Sequence, residues 1–199
     1  MIFQPTYFSP IAQFQQWVKA EHVIFEVFDN YQKQTYRNRF KIYSPNGLQA
    51  LSIPILHNNG IRQLTKDVKI ENSFPWQKNH FKSLENAYRS SPYFEFYEDD
   101  IVPLYEKPQT FLLDFLLQTQ ELSLEMLQIE SDFSKTTAYK LAYPDQQDYR
   151  FLADAKSKKN YTTKAYKQVF DNKHGFIPNL SILDLVFNEG PNAISILVD

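Results

Sequence analysis

The run HVIFEVF at residues 22–28, continued directly by DNYQKQTYRNR at residues 29–39, decides the fold that we predict for this chain. The first run is rich in β-branched and aromatic residues and is too short for a helix, which predicts a buried strand. The second run contains two arginines, one lysine and no aliphatic residue. Such an abrupt change at the end of a buried strand is typical of a functional site, because packing fixes the strand while its exit loop is free to be polar.

The residues before this strand complete a βαβ unit. We expect a short strand at residues 2–3 and a helix from Pro10 to about Ala20, where apolar residues recur at helical spacing. A second strand parallel to the first would follow. The loops after the two strands, residues 4–10 and 29–39, then both leave the carboxyl edge of the sheet. We therefore expect these two polar loops to share one rim.

The remaining chain predicts a hairpin followed by a helical region. The runs Arg39–Tyr43 and Leu48–Ile55 flank an Asn-Gly pair, which is typical of an antiparallel hairpin. Helical periodicity then predicts three helices, at residues 76–88, 93–105 (where Pro103 should end or kink the helix) and 110–128. Weaker patterns predict short strands at 68–70, 131–139 and 168–170, a solvated helix within 145–164, and apolar helical elements at 180–187 and 193–198.

These elements predict an α/β fold. We expect one three-layer-like domain over residues 1–199, with a mainly parallel central sheet that starts from the N-terminal βαβ unit, plus a β-hairpin and a helical middle region. The chain contains no internal repeat and no low-complexity linker, which favours a single domain.

The composition argues against several classes of function. With 21 Lys and Arg against 23 Asp and Glu, the net charge of -2 gives no general attraction for nucleic acid or anionic lipid. The absence of cysteine excludes thiol catalysis and Cys-based zinc sites, and the four histidines lack the spacing common in metal sites on helices. No apolar run approaches the roughly 20 residues of a membrane-spanning helix, and no signal peptide opens the chain. We predict a cytoplasmic protein without metal, nucleic acid or inserted membrane segment.

Familiar cofactor and hydrolase motifs are also missing. The sequence has no Gly-rich phosphate loop, no GxGxxG and no GxSxG, which counts against P-loop NTPases, dinucleotide-dependent dehydrogenases and α/β-hydrolases. No motif identifies a cofactor. Aromatic residues are abundant, at 16%, and tyrosines suit pockets for sugars or nucleobases as well as the packing of a core.

The stretch after the buried strand supplies the candidate chemistry. Arg37 and Arg39 can hold a carboxylate or phosphate, and they lie on one face if Arg39 begins the next strand. Alternatively, Asp29 forms a structural ion pair with one of them. On the helix that follows, His80 beside Trp76 can serve as a general acid or base, or it can fill the core as a hydrogen-bonded histidine.

Several separated motifs keep a fixed order along the chain. They are QPTYFSP at 4–10, a buried strand ending in Asp29, QKxxYxNR at 32–39, WxxxH at 76–80, SPYF at 91–94 and PNLSILDLxFN at 178–188. In this order they resemble the WbqC-like protein family over nearly the whole chain. Members occur among genes for surface-polysaccharide (O-antigen type) assembly, so the resemblance implies transfer of an acyl or aminoacyl group to a sugar.

The rim and the family motifs together select the candidate site residues. We expect catalytic roles for Asp29, Lys33 and His80, with Lys33 or His80 moving the proton. The ligand, an activated sugar or acyl donor, would be bound by Gln4, Tyr7, Gln32, Tyr36, Asn38, Arg39 and Trp76. Arg37 takes second rank, because the family motif does not specify it.

Two positions depart from the family pattern and keep other hypotheses open. Phe3 stands where many members have histidine, which removes a candidate acid or base, and Tyr36 stands where they have tryptophan. The first departure favours an alternative, a non-catalytic protein that holds a glycan or partner peptide in the same aromatic and basic groove. A third hypothesis is an internally satisfied polar network around Asp29 with no cavity beside it. The oligomeric state stays open.

Overall fold

The computed structural model describes residues 1–56, 61–144, 147–157 and 161–198. Within these ranges the chain forms five strands and seven helices. The strands are β1 (Ile2–Phe3), β2 (Val23–Phe25), β3 (Arg39–Ser44), β4 (Gly47–Ser52) and β5 (Phe133–Lys135). The helices are α1 (Ile11–Trp17), α2 (Trp76–Tyr88), α3 (Phe94–Glu106), α4 (Leu112–Leu127), α5 (Asp171–His174), α6 (Ile182–Glu189) and α7 (Ala193–Val198).

A parallel sheet in the order β1-β2-β5 carries the N-terminal unit, and α1 connects its first two strands. The predicted parallel strand–helix–strand arrangement is therefore confirmed. The central strand β2 is shorter than predicted, because only two of its residues pair with β1 and three with β5. The predicted polar strand within 131–139 is β5, and it lies at the edge of this sheet.

The hairpin and the middle helices also agree with the prediction. Strands β3 and β4 pair antiparallel from Arg39–Ser52 to Ser44–Gly47, and Gly47 adopts a φ of 93°, a backbone conformation that favours glycine at this turn. Pro103 does not end α3, which continues to Glu106. The proline is exposed and removes a single helical N–H donor, and the helix continues for only three more residues after it. The α/β fold with a parallel sheet, a hairpin and several helices is confirmed.

Three predicted elements were wrong. Residues 68–70 do not form a strand. They make two isolated bridges, Lys69 with Phe111 and Ile70 with Ile55, each to a different segment. Residues 168–170 form a loop before α5, in which the Gln168 side chain bonds both the backbone N–H and the carbonyl of Ile177.

The predicted solvated helix within 145–164 is reduced to a 3₁₀ turn at Arg150–Ala153, although residues 145–146 and 158–160 of that prediction lie outside the described ranges. Asp148 Oδ1 accepts the Arg150 backbone N–H, and such a local side-chain bond competes with the helical hydrogen bond.

The core is built largely from aromatic rings, which accounts for much of the aromatic content. One cluster packs beneath the sheet, where the Trp17 ring stacks on Phe14 and meets Phe25 and Phe133 edge-on. A second cluster packs Tyr7 and Phe40 between the hairpin and the middle helices. No described helix has the length and apolar character needed to cross a membrane.

Candidate functional site

The two polar loops at the carboxyl edge of the sheet meet as predicted. Gln4 Nε2 donates to Asp29 Oδ2 over 3.1 Å, and the Tyr7 backbone N–H donates to the Tyr36 carbonyl over 2.8 Å. The shared rim is therefore confirmed, because side-chain and backbone bonds both join the loop after β1 to the loop after β2.

Asp29 is the buried centre of this rim. Its Oδ2 accepts a hydrogen bond from Arg37 Nη2 at 2.7 Å, and its Oδ1 accepts one from the Thr65 hydroxyl at 2.6 Å. The two charged side chains are almost fully buried, so this is an interior ion pair. Burial lowers the pKa of Arg37, and the neighbouring Asp29 opposes that shift. The hypothesis of a structural ion pair is confirmed for Asp29, and its partner is Arg37.

A cavity of about 550 Å³ lies beside this ion pair, and we call it the polar pocket. It is lined by Gln4, Asp29, Gln32, Arg37, Tyr139, Asp148, Arg150 and Phe151. Four of these residues belong to the predicted rim, and the other four come from the segment that follows β5 and includes the start of the 3₁₀ turn. The hypothesis of a satisfied network with no cavity is wrong, because Asp29 is fully bonded and yet faces open space.

A second ion pair forms the far side of the polar pocket. Arg150 donates from Nε and Nη2 to the two carboxylate oxygens of Asp148, over 2.9 and 2.6 Å. Its remaining donors reach the carbonyls of Lys140 and Leu141, both at 3.0 Å. The hydrogen bonds from Arg150 lower the pKa of Asp148, while those to Asp148 raise the pKa of Arg150. Both side chains therefore stay charged at neutral pH.

The polar pocket retains unused hydrogen-bonding groups. Within the described ranges, Arg37 Nε and Nη1 and Gln4 Oε1 are buried and have no protein partner. Glu26, whose charge acts on Arg37, is fully buried and accepts from the Phe28 N–H and the Thr136 hydroxyl through Oε1, whereas its Oε2 has no partner among the described residues. Unpaired buried donors and acceptors are costly, so groups of this kind mark a place where a polar ligand or water completes the network.

The other predicted residues of the stretch line different cavities. Lys33, Asn38 and Arg39 line a cavity of about 620 Å³, which we call the amphipathic pocket. Tyr36 lines a third cavity of about 250 Å³. Among the cavities that described residues line, Arg37 and Arg39 thus belong to different ones, because Arg37 lies in the turn before β3 and only Arg39 belongs to the strand. The expectation that the two arginines face one ligand is wrong for this reason.

His80, Tyr7 and Trp76 lie in the interior and do not line the polar pocket. His80 Nδ1 is 3.0 Å from the Tyr7 hydroxyl, which is 2.6 Å from the Tyr105 hydroxyl. Trp76 packs edge-on against the His80 ring. Burial lowers the pKa of His80 to about 4, while a hydrogen bond with the Ser52 backbone opposes the shift. His80 is therefore a neutral, hydrogen-bonded core residue, the second of the two roles considered from sequence.

Phe3 and Tyr36, which depart from the family pattern, are both buried. The Phe3 ring stacks on Tyr149 at 5.5 Å and on Trp17 at 6.4 Å, so this position belongs to the core under the sheet. Burial, with smaller contributions from Tyr161 and Asp154, raises the pKa of Tyr36 to about 12. Neither side chain is placed to exchange a proton with a ligand in the polar pocket.

Sequence reasoning missed half of the polar pocket. Arg37 was ranked second because no motif specifies it, although it is the partner of Asp29. Tyr139, Asp148, Arg150 and Phe151 were assigned to a polar strand and a solvated helix. The alternation of charged and aromatic residues in DYRF at 148–151 was the available signal, and its meaning depends on a fold that brings it next to the rim. Across the ranges that the structure covers, no cluster of three or more His, Asp and Glu residues could hold a metal.

Comparison with known proteins supports one family. A sequence model of the WbqC-like protein family matches residues 4–160 and 142–196. The chain is similar to "Uncharacterized protein Rv1507c" of Mycobacterium tuberculosis, with 25% identity over 197 residues, 85% of this chain and 85% of the relative. No solved structure matches significantly. Because the family model matches almost the whole chain, the protein belongs to the WbqC-like protein family.

Proposed function

We propose that this protein binds the sugar part of a surface-polysaccharide precursor in the polar pocket. The observation that carries the proposal is the lining, in which two Asp–Arg pairs, two glutamines and two aromatic rings surround about 550 Å³. Sugar hydroxyls both donate and accept hydrogen bonds, so they match the unpaired Arg37 donors and the unpaired Gln4 acceptor. Aromatic rings such as Tyr139 and Phe151 suit the apolar faces of a sugar.

The charge of the polar pocket favours an uncharged sugar over a phosphate. Asp29 is paired with Arg37 and Asp148 with Arg150, so the lining carries no excess of positive charge. A phosphate would meet two carboxylates as well as two guanidinium groups. A hydroxyl-rich ligand has no such conflict, because each hydroxyl can turn its oxygen or its hydrogen toward the pocket wall.

Calorimetric titration with neutral monosaccharides, disaccharides and nucleotide sugars tests this proposal. We expect a neutral sugar to bind the wild type and to bind at least about tenfold more weakly after Asp148→Asn or Arg37→Met, the loss expected for one charge-assisted hydrogen bond. Arg89→Met is the matched control, because Arg89 forms a comparable ion pair with Glu98 on the surface and lies outside the polar pocket. Thermal unfolding of each variant verifies that it is folded.

Two results would contradict the sugar proposal. The first is that no neutral sugar binds the wild type at millimolar concentration. The second is that a sugar binds equally well to the wild type and to folded Asp148→Asn. Asp148 is partly exposed and asparagine is nearly isosteric with it, so this variant is expected to fold even if Arg37→Met does not.

A second candidate function is transfer of an acyl or aminoacyl group to the bound sugar. The amphipathic pocket favours it, because the same stretch, residues 29–39, lines both cavities and places Lys33 in the second. In such a step a sugar hydroxyl or amine attacks the carbonyl of an acyl thioester, the new C–O or C–N bond replaces the C–S bond, and the proton lost by the sugar leaves with the thiol.

Mass spectrometry after incubation with the bound sugar and an acyl thioester tests the transfer. We expect a sugar that has gained the acyl mass, and less of it with Lys33→Met than with the control Lys135→Met, an exposed lysine on β5. If the sugar binds but never gains the acyl mass, sugar binding alone is the function.

A further inference from the structure

The amphipathic pocket has one apolar wall. This wall is formed by Ile53, Pro54, Ile55, Leu56 and Phe74. Ile53 is fully buried, whereas residues Leu56 and Phe74 are 41% and 62% exposed. Single exposed apolar residues are common, but here two of them border the same cavity of about 620 Å³, a size typical of small-molecule sites.

Backbone hydrogen bonds hold this wall in place. Ile53 N–H donates to the Asn38 carbonyl over 2.7 Å, and Asn38 Nδ2 donates back to the Ile53 carbonyl over 2.9 Å. On the other side, Glu71 N–H donates to the Pro54 carbonyl and Leu56 N–H to the Lys69 carbonyl, each over 2.9 Å. The segment that carries the apolar side chains is thus bonded on both sides, so the pocket is formed before any ligand arrives.

The remaining residues that line the amphipathic pocket are polar, and their charges are mainly positive. Arg39 and Lys33 bring two positive charges, against the single carboxylate of Glu71, which accepts the Ser73 N–H over 2.8 Å. Among the residues that the structure describes, Arg39 Nε, the Tyr31 hydroxyl and Asn38 Oδ1 are buried without a hydrogen-bond partner.

The Tyr31 hydroxyl is available as a donor on this side. Burial raises the pKa of Tyr31 to about 12, although Arg37 and Arg39 both lower it, so the hydroxyl keeps its proton at neutral pH. Tyr31 and Arg39 line the same cavity, and each has a buried donor, the hydroxyl and Nε, without an acceptor among the described residues. Together they form a pair of donors suited to an anionic group.

We propose that the amphipathic pocket binds an anionic amphipath, a molecule with an apolar acyl or alkyl part against the 53–56 wall and a carboxylate or phosphate at Arg39 and Tyr31. The carboxylate and the phosphate are both anionic, and the experiment below distinguishes between them. This proposal does not depend on sugar binding, because the amphipathic pocket and the polar pocket share no lining residue. Where the transferase function also holds, the acyl chain of the thioester donor would lie against the same 53–56 wall.

Calorimetry with four small probes of equal chain length tests the proposal. The probes are hexanoate, hexyl phosphate, hexylamine and 1-hexanol. We expect hexanoate or hexyl phosphate to bind, and the tighter of the two identifies the natural anionic group. We expect hexanol and hexylamine to bind at least about tenfold more weakly, since they lack the anionic acceptor.

Two variants separate the charged end from the apolar wall. We expect Arg39→Met to lower the association constant of the anionic probe about tenfold, to the level of hexanol. We expect Phe74→Ser to weaken the anion and hexanol alike, by several-fold, because it removes apolar contact area. Phe74 is largely exposed, so its replacement is not expected to unfold the protein. The control Lys82→Met removes an exposed charge on α2 outside the pocket and should change nothing.

Three results would contradict the binding of an anionic amphipath, and none of them depends on sugar binding. Equal affinity for hexylamine and the anionic probes, no binding of any probe, or unchanged binding in folded Arg39→Met and Phe74→Ser would each overturn the amphipath site. Asp148→Asn serves as the cross-check: it should weaken the sugar and leave the anionic probe unaffected. A failure of sugar binding alone therefore leaves this inference intact.

Discussion

At the scale of single residues, burial decides which candidate side chains can do chemistry. Asp29 and His80 were both expected to be catalytic, and both are buried with complete hydrogen bonds. Asp29 nevertheless lines a cavity, whereas His80 lies in the interior, where it contacts Tyr7 and Trp76. Sequence spacing identified both residues correctly as polar positions among aromatic neighbours. It could not tell a pocket wall from a core, because that difference depends on what the rest of the chain places next to the side chain.

His80 gives a prediction about stability and pH. Its pKa in the folded protein is about 4, below the ordinary value of 6.5, so between these values the unfolded chain binds a proton that the folded protein does not. The free energy of unfolding that His80 contributes is therefore present above pH 6.5 and is lost as the pH falls toward 4, by at most about 1.4 kcal/mol per pH unit. His80→Gln keeps a polar group and removes this titration.

Urea unfolding of both proteins between neutral pH and about pH 4.5 measures the effect. The wild type should be the more stable protein at neutral pH, and its advantage over His80→Gln should shrink as the pH falls. Asp184, whose pKa is raised to about 6 by burial, works in the opposite direction, since its contribution is lost as the pH rises through 6. It is present in both proteins and cancels in the difference. A difference that is the same at every pH would rule out a neutral buried His80.

At the scale of elements, short segments position the rim and the C-terminal helices. The turn before β3 sends Arg37 and Arg39 to different pockets, because it interrupts the two-residue alternation of a strand. Helix α6 is held by Asp184, which accepts hydrogen bonds from the hydroxyls of Tyr88 and Tyr166. These bonds tie α6 to α2 and to the segment before α5, so α6 is part of the scaffold behind the site.

The end of α6 gives a prediction for a matched pair of glycines. Gly190 has a φ of 52°, and a Cβ there would lie 2.6 Å from the Tyr93 ring. Gly175 has a φ of 75°, and a Cβ there would meet no heavy atom within 4 Å. Both alanine variants should lose about 1–2 kcal/mol from the left-handed backbone. Gly190→Ala should lose about 1–3 kcal/mol more, because the Tyr93 ring must move.

Denaturant unfolding of the two glycine variants compares these losses directly. A larger free-energy loss for Gly190→Ala supports close packing between the end of α6 and the start of α3. Equal losses would show that Tyr93 shifts freely and that this junction is loosely packed.

At the scale of the whole molecule, the sheet and the helical region share one set of buried aromatic and aliphatic residues. Trp17 lies under the sheet against Phe25, and Trp76 lies beside Phe115 of α4. The two tryptophans, the only two in the sequence, therefore report on different parts of the fold. We propose that residues 1–199 form the single domain expected from sequence.

Single-tryptophan variants test this proposal. Trp17→Phe leaves Trp76 as the reporter, and Trp76→Phe leaves Trp17. For one cooperative domain, fluorescence and circular dichroism should give the same midpoint within each variant during urea unfolding. A fluorescence transition that precedes the loss of helical signal, in either variant, would instead indicate two units that unfold separately.

The sequence by itself determined two things, the secondary structure around the rim and the family to which the chain belongs. The alternating and helical periods are local, so β1, α1, β2, the hairpin and the middle helices could be predicted from neighbouring residues, and so could the meeting of the loops after β1 and β2. The motifs likewise identified the WbqC-like protein family, which the family comparison confirms. The solvated helix predicted within 145–164 was wrong, because Asp148, in the described part of that segment, bonds locally to the Arg150 backbone N–H instead of allowing a helix.

Only the tertiary structure decided which polar residues face a common space. The stretch at 29–39 reads as one cluster along the chain, yet it supplies Arg37 to the polar pocket, Tyr36 to a third cavity and Arg39 to the amphipathic pocket. The other half of the polar pocket, which includes Asp148 and Arg150, comes from a segment that begins more than a hundred residues after Arg37. The physical reason is that a cavity is formed by packing between segments distant in sequence, and no local period records which segments will pack together.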